Sequence, residues 1–386
     1  MLERELEHLE SAHLLRALTA FSDVTSTRVT IGNHRLLLCA SNNYLGLATD
    51  ERVQKAAITA VRRYGTGATG SRLTTGHTDM HAHLERSIAE LKGTAAALLF
   101  SSGYLANLGA ITALLGPEDE IFSDELNHAS IIDGCRLSRA RVNVYRHSDM
   151  DHLESLLRKV TGARRRMIVT DGVFSMDGDI ARLPDLVRLR DDYHTMLMVD
   201  DAHATGVIGA RGAGTADHFG VPSEAVDLHM GTLSKALGAE GGFVAGSAKL
   251  IAFLTNRARS FIFNTGLAPA SVGAAVASIE IAASEPERRE TLEYNGILLR
   301  RRLERLGLSV VPGVTPIIPV VLGDAKRAMT FSASLLASDV YAPAIRPPTV
   351  PTGSARIRLT LTAQHSKEDI QQIVEAFAEA CSKVLP

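Results

Sequence analysis

Apolar and polar positions divide the chain into a long middle stretch of alternating strand and helix patterns, with shorter elements at each end. Leu2, Leu6, Leu9, Leu14 and Leu15 recur at roughly helical spacing and predict a helix over residues 1 to about 20, with Arg16 near its end. Val29 to Ala40 predicts a hairpin turning at Ile31-Gly32-Asn33-His34. Met80, Leu84, Ile88 and Leu91 share one face of a helix from Asp79 to Lys92, which Gly93 stops. Ala95 to Phe100 is an apolar run of strand length, followed by Ser101-Ser102-Gly103-Tyr104 and a helical pattern from Leu105 to Leu115. Strands follow at 121–123, 167–170, 226–230 and 241–246, and an amphipathic helix at 148–160. Met196-Leu-Met-Val199 is unbroken apolar chain, as expected of a central parallel strand buried on both faces. Strands alternating with helices predict a mostly parallel α/β sheet.

Toward the C-terminus an alanine-rich helix, Pro269 to about Ala283, is expected to link two domains. Beyond it, Thr315 to Leu322, Arg346 to Pro351 and Arg356 to Thr360 suggest a small mixed sheet. Ser366 and Asp369 form a capping-box pattern for a last helix whose apolar face is Ile370, Ile373, Val374, Phe377 and Cys381. The expected division is an N-terminal helix and hairpin arm over 1–45, a large α/β domain over 46–277, and a small C-terminal α+β domain over 278–386.

Composition narrows the class. Of 386 residues, 45% are hydrophobic and 22% charged, ordinary values for a soluble globular protein able to bury a sizeable core. The net charge of −2 offers no basic field for nucleic acid. The longest apolar runs fall short of the ~20 residues of a membrane helix. The N-terminus is acidic, without the basic-then-apolar order of a secretory signal. Cys39, Cys135 and Cys381 are odd in number and far apart, which suits a reducing, cytoplasmic compartment and no disulfide frame.

Candidate chemistry collects after the strands. Among eight lysines, Lys235 stands apart. It follows a strand-like run and sits among Gly231, Thr232, Ser234 and further glycines, a tight polar cup in which an amine loses part of its water shell and becomes a plausible Schiff-base former. The same stretch also reads as a surface lysine beside a glycine turn. Asp200-Asp201-Ala202-His203 leave the end of the buried strand, where α/β proteins bind ligands. A helix N-terminus after Ser102-Gly103 offers free N–H groups to a phosphate. Tyr104 reads equally as a cover for a flat ring or as packing, and His128 as a loop cap or an active-site group. The Gly65-to-Arg72 loop lacks a P-loop ending, and Gly206, Gly209, Gly212 and Gly214 do not directly follow a strand, so neither reads as a nucleotide loop. His77, His81, His83 and Glu85 invite a metal reading, but their helix has an ordinary core face, and no metal is expected. Ser102/Gly103, Ser175, Asp200/His203 and Thr232/Lys235 together are the groups pyridoxal phosphate requires: a lysine for the Schiff base, an aspartate for the ring nitrogen, and a helix N-terminus and hydroxyls for the phosphate.

Ser41-Asn-Asn-Tyr-Leu-Gly46, Asn127-His-Ala-Ser130, Asp171-Gly-Val-Phe-Ser-Met-Asp-Gly178, Val199-Asp-Asp-Ala-His203 and Thr232-Leu-Ser-Lys235, in this order, resemble the α-oxoamine synthases, pyridoxal-phosphate enzymes of the aspartate-aminotransferase fold (fold type I). Gly67-Ala-Thr-Gly-Ser-Arg72 and Arg346-Pro-Pro-Thr-Val-Pro351 look like the 8-amino-7-oxononanoate synthase branch. Ile317-Ile-Pro-Val-Val-Leu-Gly-Asp324 is instead similar to the 2-amino-3-ketobutyrate CoA ligases, and Asp171 stands where a glutamate is frequent. The resemblance implies a large mostly parallel sheet domain with a small α+β domain. It implies that Lys235 holds the cofactor and moves the substrate Cα proton, that Asp200 pairs with the ring nitrogen and His203 with the ring 3-oxygen, and that His128 stacks on the ring. Gly103, Tyr104, Ser175 and Thr232 would complete the pocket. Arg358 would bind the amino-acid carboxylate, with Asn42, Arg16, Thr349 and also His128 at substrate-contacting positions. The implied reaction joins L-alanine to pimeloyl-CoA or pimeloyl-acyl carrier protein in biotin biosynthesis, in a homodimer.

Overall fold

A computed structural model of the chain describes residues 2–12 and 14–384. The chain divides into two compact units, one comprising 45–175 and 180–289, the other 1–44, 176–179 and 290–386.

The larger unit is built on seven strands: β1 (Ala96–Phe100), β2 (Glu120–Asp124), β3 (Arg141–Tyr145), β4 (Arg166–Asp171), β5 (Met196–Asp200), β6 (Leu228–Thr232) and β7 (Gly242–Gly246). Their order across the sheet is β1-β7-β6-β5-β4-β2-β3. All run in one direction except β7, which pairs antiparallel with both its neighbours. Alternation within the apolar runs explains their continuity. Met167, Val169 and Met198 pack into one core with Ile111 and Leu254, while Ile168, Leu197 and Val199 pack into a second with Leu153 and Leu186. Both faces are covered, so neither set of positions can be polar.

Local signals act as the sequence predicts in several helices. Thr78 accepts from His81 N in a capping box ahead of helix Asp79–Lys92, and Gly93 at φ +66° ends it. Arg72 donates to His77 Nδ1 and to Glu85, and His81 is buried against Leu267 O, so these groups serve packing and pairing. The alanine-rich helix, Pro269–Ser284, lies wholly in the larger unit, and the unit boundary falls inside the next helix, Glu287–Arg305.

In the smaller unit the expected hairpin forms from Arg28–Ile31 and His34–Leu38, turning at Gly32 with φ +58°. Val340–Tyr341 adds to it in parallel. Ile317–Gly323, Ala355–Thr360 and Ala344–Ile345 form a second sheet, which is antiparallel throughout rather than mixed. Arg346 to Pro351 is a turn, not a strand, because successive prolines remove ladder donors. The first helix stops at Ser11 instead of near residue 20, and residues 1 and 13 of that expectation lie outside the described residues. None of its described residues is buried, so its leucines gain no packing here that would extend it. The last helix, Lys367–Val384, starts as predicted: Asp369 N donates to Ser366 Oγ at 3.1 Å and Ser366 N to Asp369 Oδ2 at 2.9 Å.

Candidate active site

Strand ends and the loops that leave them enclose a cavity of about 170 Å³ in the larger unit. Gly103, Tyr104, His128, Ser175, Asp200, His203, Thr232 and Lys235 all line it, with Asn107, Ser130 and Asp171. β6 delivers Thr232, and the chain then turns: Gly238 N donates to Lys235 O, and Leu233 N to Gly241 O, each at 3.0 Å. Gly238 has φ +59°, and a Cβ there would lie 2.4 Å from Ala48 N, so only glycine closes this cup. Thr232 Oγ1 donates to Gly241 O at 2.8 Å and lies 2.7 Å from Ser234 Oγ, giving the cup its polar wall. Lys235 is half-buried in it.

Asp200 ends β5 and is buried. Its Oδ2 accepts from Asn107 Nδ2 at 2.7 Å and its Oδ1 from Ala202 N at 2.9 Å. Such donor contacts suit a carboxylate. Asp171 lies beside it on β4, also buried, and accepts from His128 N at 3.1 Å. Burial raises the Asp171 carboxyl well above the usual carboxylate range; the like charge of Asp200 adds to this, and the Lys235 ammonium opposes it. Burial by surrounding protein likewise lowers the His128 imidazole, with Asp200 opposing and Lys235 reinforcing. Tyr104 remains 41% exposed, and its hydroxyl donates to Asp133.

Pyridoxal phosphate needs an amine for its aldehyde, an anion for its ring nitrogen and N–H groups for its phosphate. Lys235, Asp200 and the N-terminus of helix Gly103–Leu114, capped by Ser102, face one cavity. Gly103 keeps room there, since a Cβ would lie 3.0 Å from Met230 Cε and 3.4 Å from Thr232 Cβ. The residues present fit the group.

Residues 35–377 match the aminotransferase class I and II family. The chain is 53% identical over 371 residues to an 8-amino-7-oxononanoate synthase of Lysinibacillus sphaericus, covering 96% of this chain and 95% of the relative. A second relative, 8-amino-7-oxononanoate synthase 2 of Bacillus subtilis, is 50% identical across 97% of this chain and 96% of its own. The chain belongs to the 8-amino-7-oxononanoate synthase family. Among solved structures, a lysine-to-alanine variant of a serine palmitoyltransferase from S. paucimobilis with a bound PLP–myriocin aldimine superposes with TM-score 0.95 at 30% identity, covering 99% of this chain and 97% of that one. An 8-amino-7-oxononanoate synthase from Francisella tularensis superposes with TM-score 0.78 at 27% identity, covering 90% and 98%. Backbone likeness therefore runs across synthases with different substrates, and it is sequence identity that singles out the oxononanoate branch.

Of the five candidate substrate residues, His128 lines the cavity of the larger unit, while Arg16, Asn42, Thr349 and Arg358 lie in the smaller unit, where they form two pairs. Arg16 Nη2 donates to Thr349 Oγ1 at 3.0 Å, and Arg358 donates to Asn42 Oδ1 at 3.4 Å, which also accepts from the Tyr44 hydroxyl at 3.2 Å. Arg16 is exposed in irregular chain beyond the first helix, whereas Arg358 is buried in strand Ala355–Thr360.

Asn107 was missed by sequence reasoning, although a signal existed: it is the one amide side chain in a mostly apolar helical run, and a buried amide needs partners. Asp171 yields a testable sign. Its carboxyl titrates higher folded than unfolded, so the native state loses stability as pH rises through the raised value. Asp171→Asn should gain stability relative to wild type progressively as pH rises above the ordinary carboxylate range. Thermal melts of the cofactor-free proteins check this; a pH-independent difference would refute it.

Proposed function

We propose that this chain condenses L-alanine with a pimeloyl thioester, releasing carbon dioxide and 8-amino-7-oxononanoate, as a pyridoxal-phosphate enzyme of biotin biosynthesis. The observation that carries the reading is the meeting of Lys235, Asp200, His203 and a helix N-terminus around one cavity, in a chain 53% identical to a synthase of that name. When bound, pyridoxal phosphate supplies a ring that withdraws the electron pair left as the amino acid loses its Cα proton. Lys235 would hold the cofactor and then, as a free amine, take that proton. Asp200, fixed by its two N–H donors, would give the ring nitrogen a counter-charge. His203 would donate to the ring oxygen, and His128, whose basicity burial lowers, would offer a neutral imidazole to the ring. The N-terminus of helix Gly103–Leu114, with Ser175 and Thr232, would receive the phosphate. Arg358 binds the alanine carboxylate, with Asn42 beside it; Arg16 and Thr349 contact substrate. The chain acts as a homodimer in the cytoplasm; among the described residues no helix is long and apolar enough to cross a membrane.

A 2-amino-3-ketobutyrate CoA ligase is the second reading, favoured by the segment Ile317 to Asp324 alone. Product mass spectrometry separates the two. Protein loaded with pyridoxal phosphate is given L-alanine or glycine with pimeloyl-CoA, pimeloyl-acyl carrier protein or acetyl-CoA. Formation of 8-amino-7-oxononanoate from alanine supports the first reading. Turnover of glycine with acetyl-CoA in its place overturns it.

A further inference from the structure

Asn107 joins two groups that the proposed function treats separately. It is 1% exposed, one turn into helix Gly103–Leu114. Its Nδ2 donates to Asp200 Oδ2 at 2.7 Å and to Ser130 Oγ at 2.8 Å, so both amide protons are engaged. Ser130 Oγ lies 2.7 Å from His128 Nδ1, and Ser130 N, which can only donate, reaches the same Nδ1 at 3.3 Å. Nδ1 is therefore an acceptor, the Ser130 hydroxyl points its proton at it, and the ring proton sits on Nε2. Every bond in the chain has one direction, from Asn107 through Ser130 to His128 and from Asn107 to Asp200. The amide cannot flip without setting its oxygen against the Asp200 carboxylate. Asn107 Oδ1 is buried and has no hydrogen-bond partner among the described residues, so the amide is oriented by its two N–H bonds alone.

We propose that Asn107 is a positioning residue whose single NH2 group fixes Asp200 and, through Ser130, holds His128 with its proton on Nε2, so that one side chain sets two of the groups lining the cofactor cavity. This rests on the pocket being the pyridoxal-phosphate site.

The test compares wild type, Asn107→Leu, Asn107→Ala and Ser130→Ala as full-length proteins. Affinity for pyridoxal phosphate is measured by equilibrium dialysis, and the His128 ring-nitrogen shifts by NMR on histidine-labelled protein, assigned with His128→Gln. Losing one hydrogen bond to a charged group should weaken cofactor binding in Asn107→Leu by roughly 10- to 100-fold. Its His128 Nδ1 signal should shift, because the Ser130 hydroxyl is no longer held with its proton aimed at that nitrogen. Ser130→Ala should shift the His128 signals in the same way yet bind the cofactor within about threefold of wild type. Asn107→Ala removes the same donors without added bulk and should match Asn107→Leu, which keeps the test available if the leucine variant does not fold. Cofactor affinity within about threefold of wild type in the Asn107 variants, or unchanged His128 signals in them, overturns the inference. Failure of wild type to bind pyridoxal phosphate at all would overturn the proposed function instead.

Discussion

Replacing Lys235 by alanine should abolish covalent capture of pyridoxal phosphate and lower turnover by at least about 10³-fold. The magnitude follows from the roles assigned to it, since a positioned general base alone contributes roughly 10²- to 10⁴-fold, and this lysine also holds the cofactor. Capture is checked directly. Borohydride treatment of wild type should fix the cofactor's mass on the tryptic peptide carrying Lys235, and the alanine variant should carry none on any peptide. Turnover is read as 8-amino-7-oxononanoate formed from L-alanine and the pimeloyl thioester. The cup itself should survive, because its shape is set by Thr232, Gly238 and Gly241 through backbone and hydroxyl bonds rather than by the amine. A variant that keeps activity within tenfold of wild type, or a labelled peptide other than the one carrying Lys235, would remove this residue from the mechanism.

The strand ends were the legible part of the site. Apolar runs of five or so residues bounded by small polar groups mark buried parallel strands, and their C-terminal ends mark the ligand side. Asp200, Thr232 and Lys235 could thus be placed on one edge from pattern alone. Pairing partners were less legible. Asn107 and Asp200 are 93 residues apart, and Arg16 and Thr349 are 333 apart, so no local periodicity links them. The N-terminal leucines illustrate a different limit. Helical spacing reports which face could be buried, not whether a surface is present to bury it, and the helix ends at Ser11 with no described residue buried. Asp171 lies one residue past the expected strand 167–170; burial raises its carboxyl, and Asp200 across the sheet on β5, which no local pattern links to it, adds to the shift.

The lysines show the same limit most sharply. Lys92, which ends an ordinary amphipathic helix, is the deeply enclosed one: its ammonium lies 2.8 Å from Asp201 Oδ2, and both side chains are 1% exposed. Asp201 also accepts from Thr215 N and Thr215 Oγ1, while Lys92 donates to Ala213 O. The pair therefore ties both ends of the loop between β5 and Thr215, the loop that carries His203. Gly214 at φ +108° lets it close, since a Cβ there would lie 2.2 Å from Asp201 Oδ2. Breaking such a pair leaves one charge buried without compensation, so Lys92→Met should cost about 3–5 kcal/mol, measured as a loss in thermal or denaturant stability of the cofactor-free protein. In Asp201→Asn it is the Lys92 ammonium that loses its counter-charge, so that variant should be destabilised by a similar amount. Lys92→Met with Asp201→Asn strands neither charge and keeps an acceptor for Thr215 N, so most of the loss should return. A double variant as unstable as the sum of both single variants would mean that packing volume rather than charge holds this loop in place.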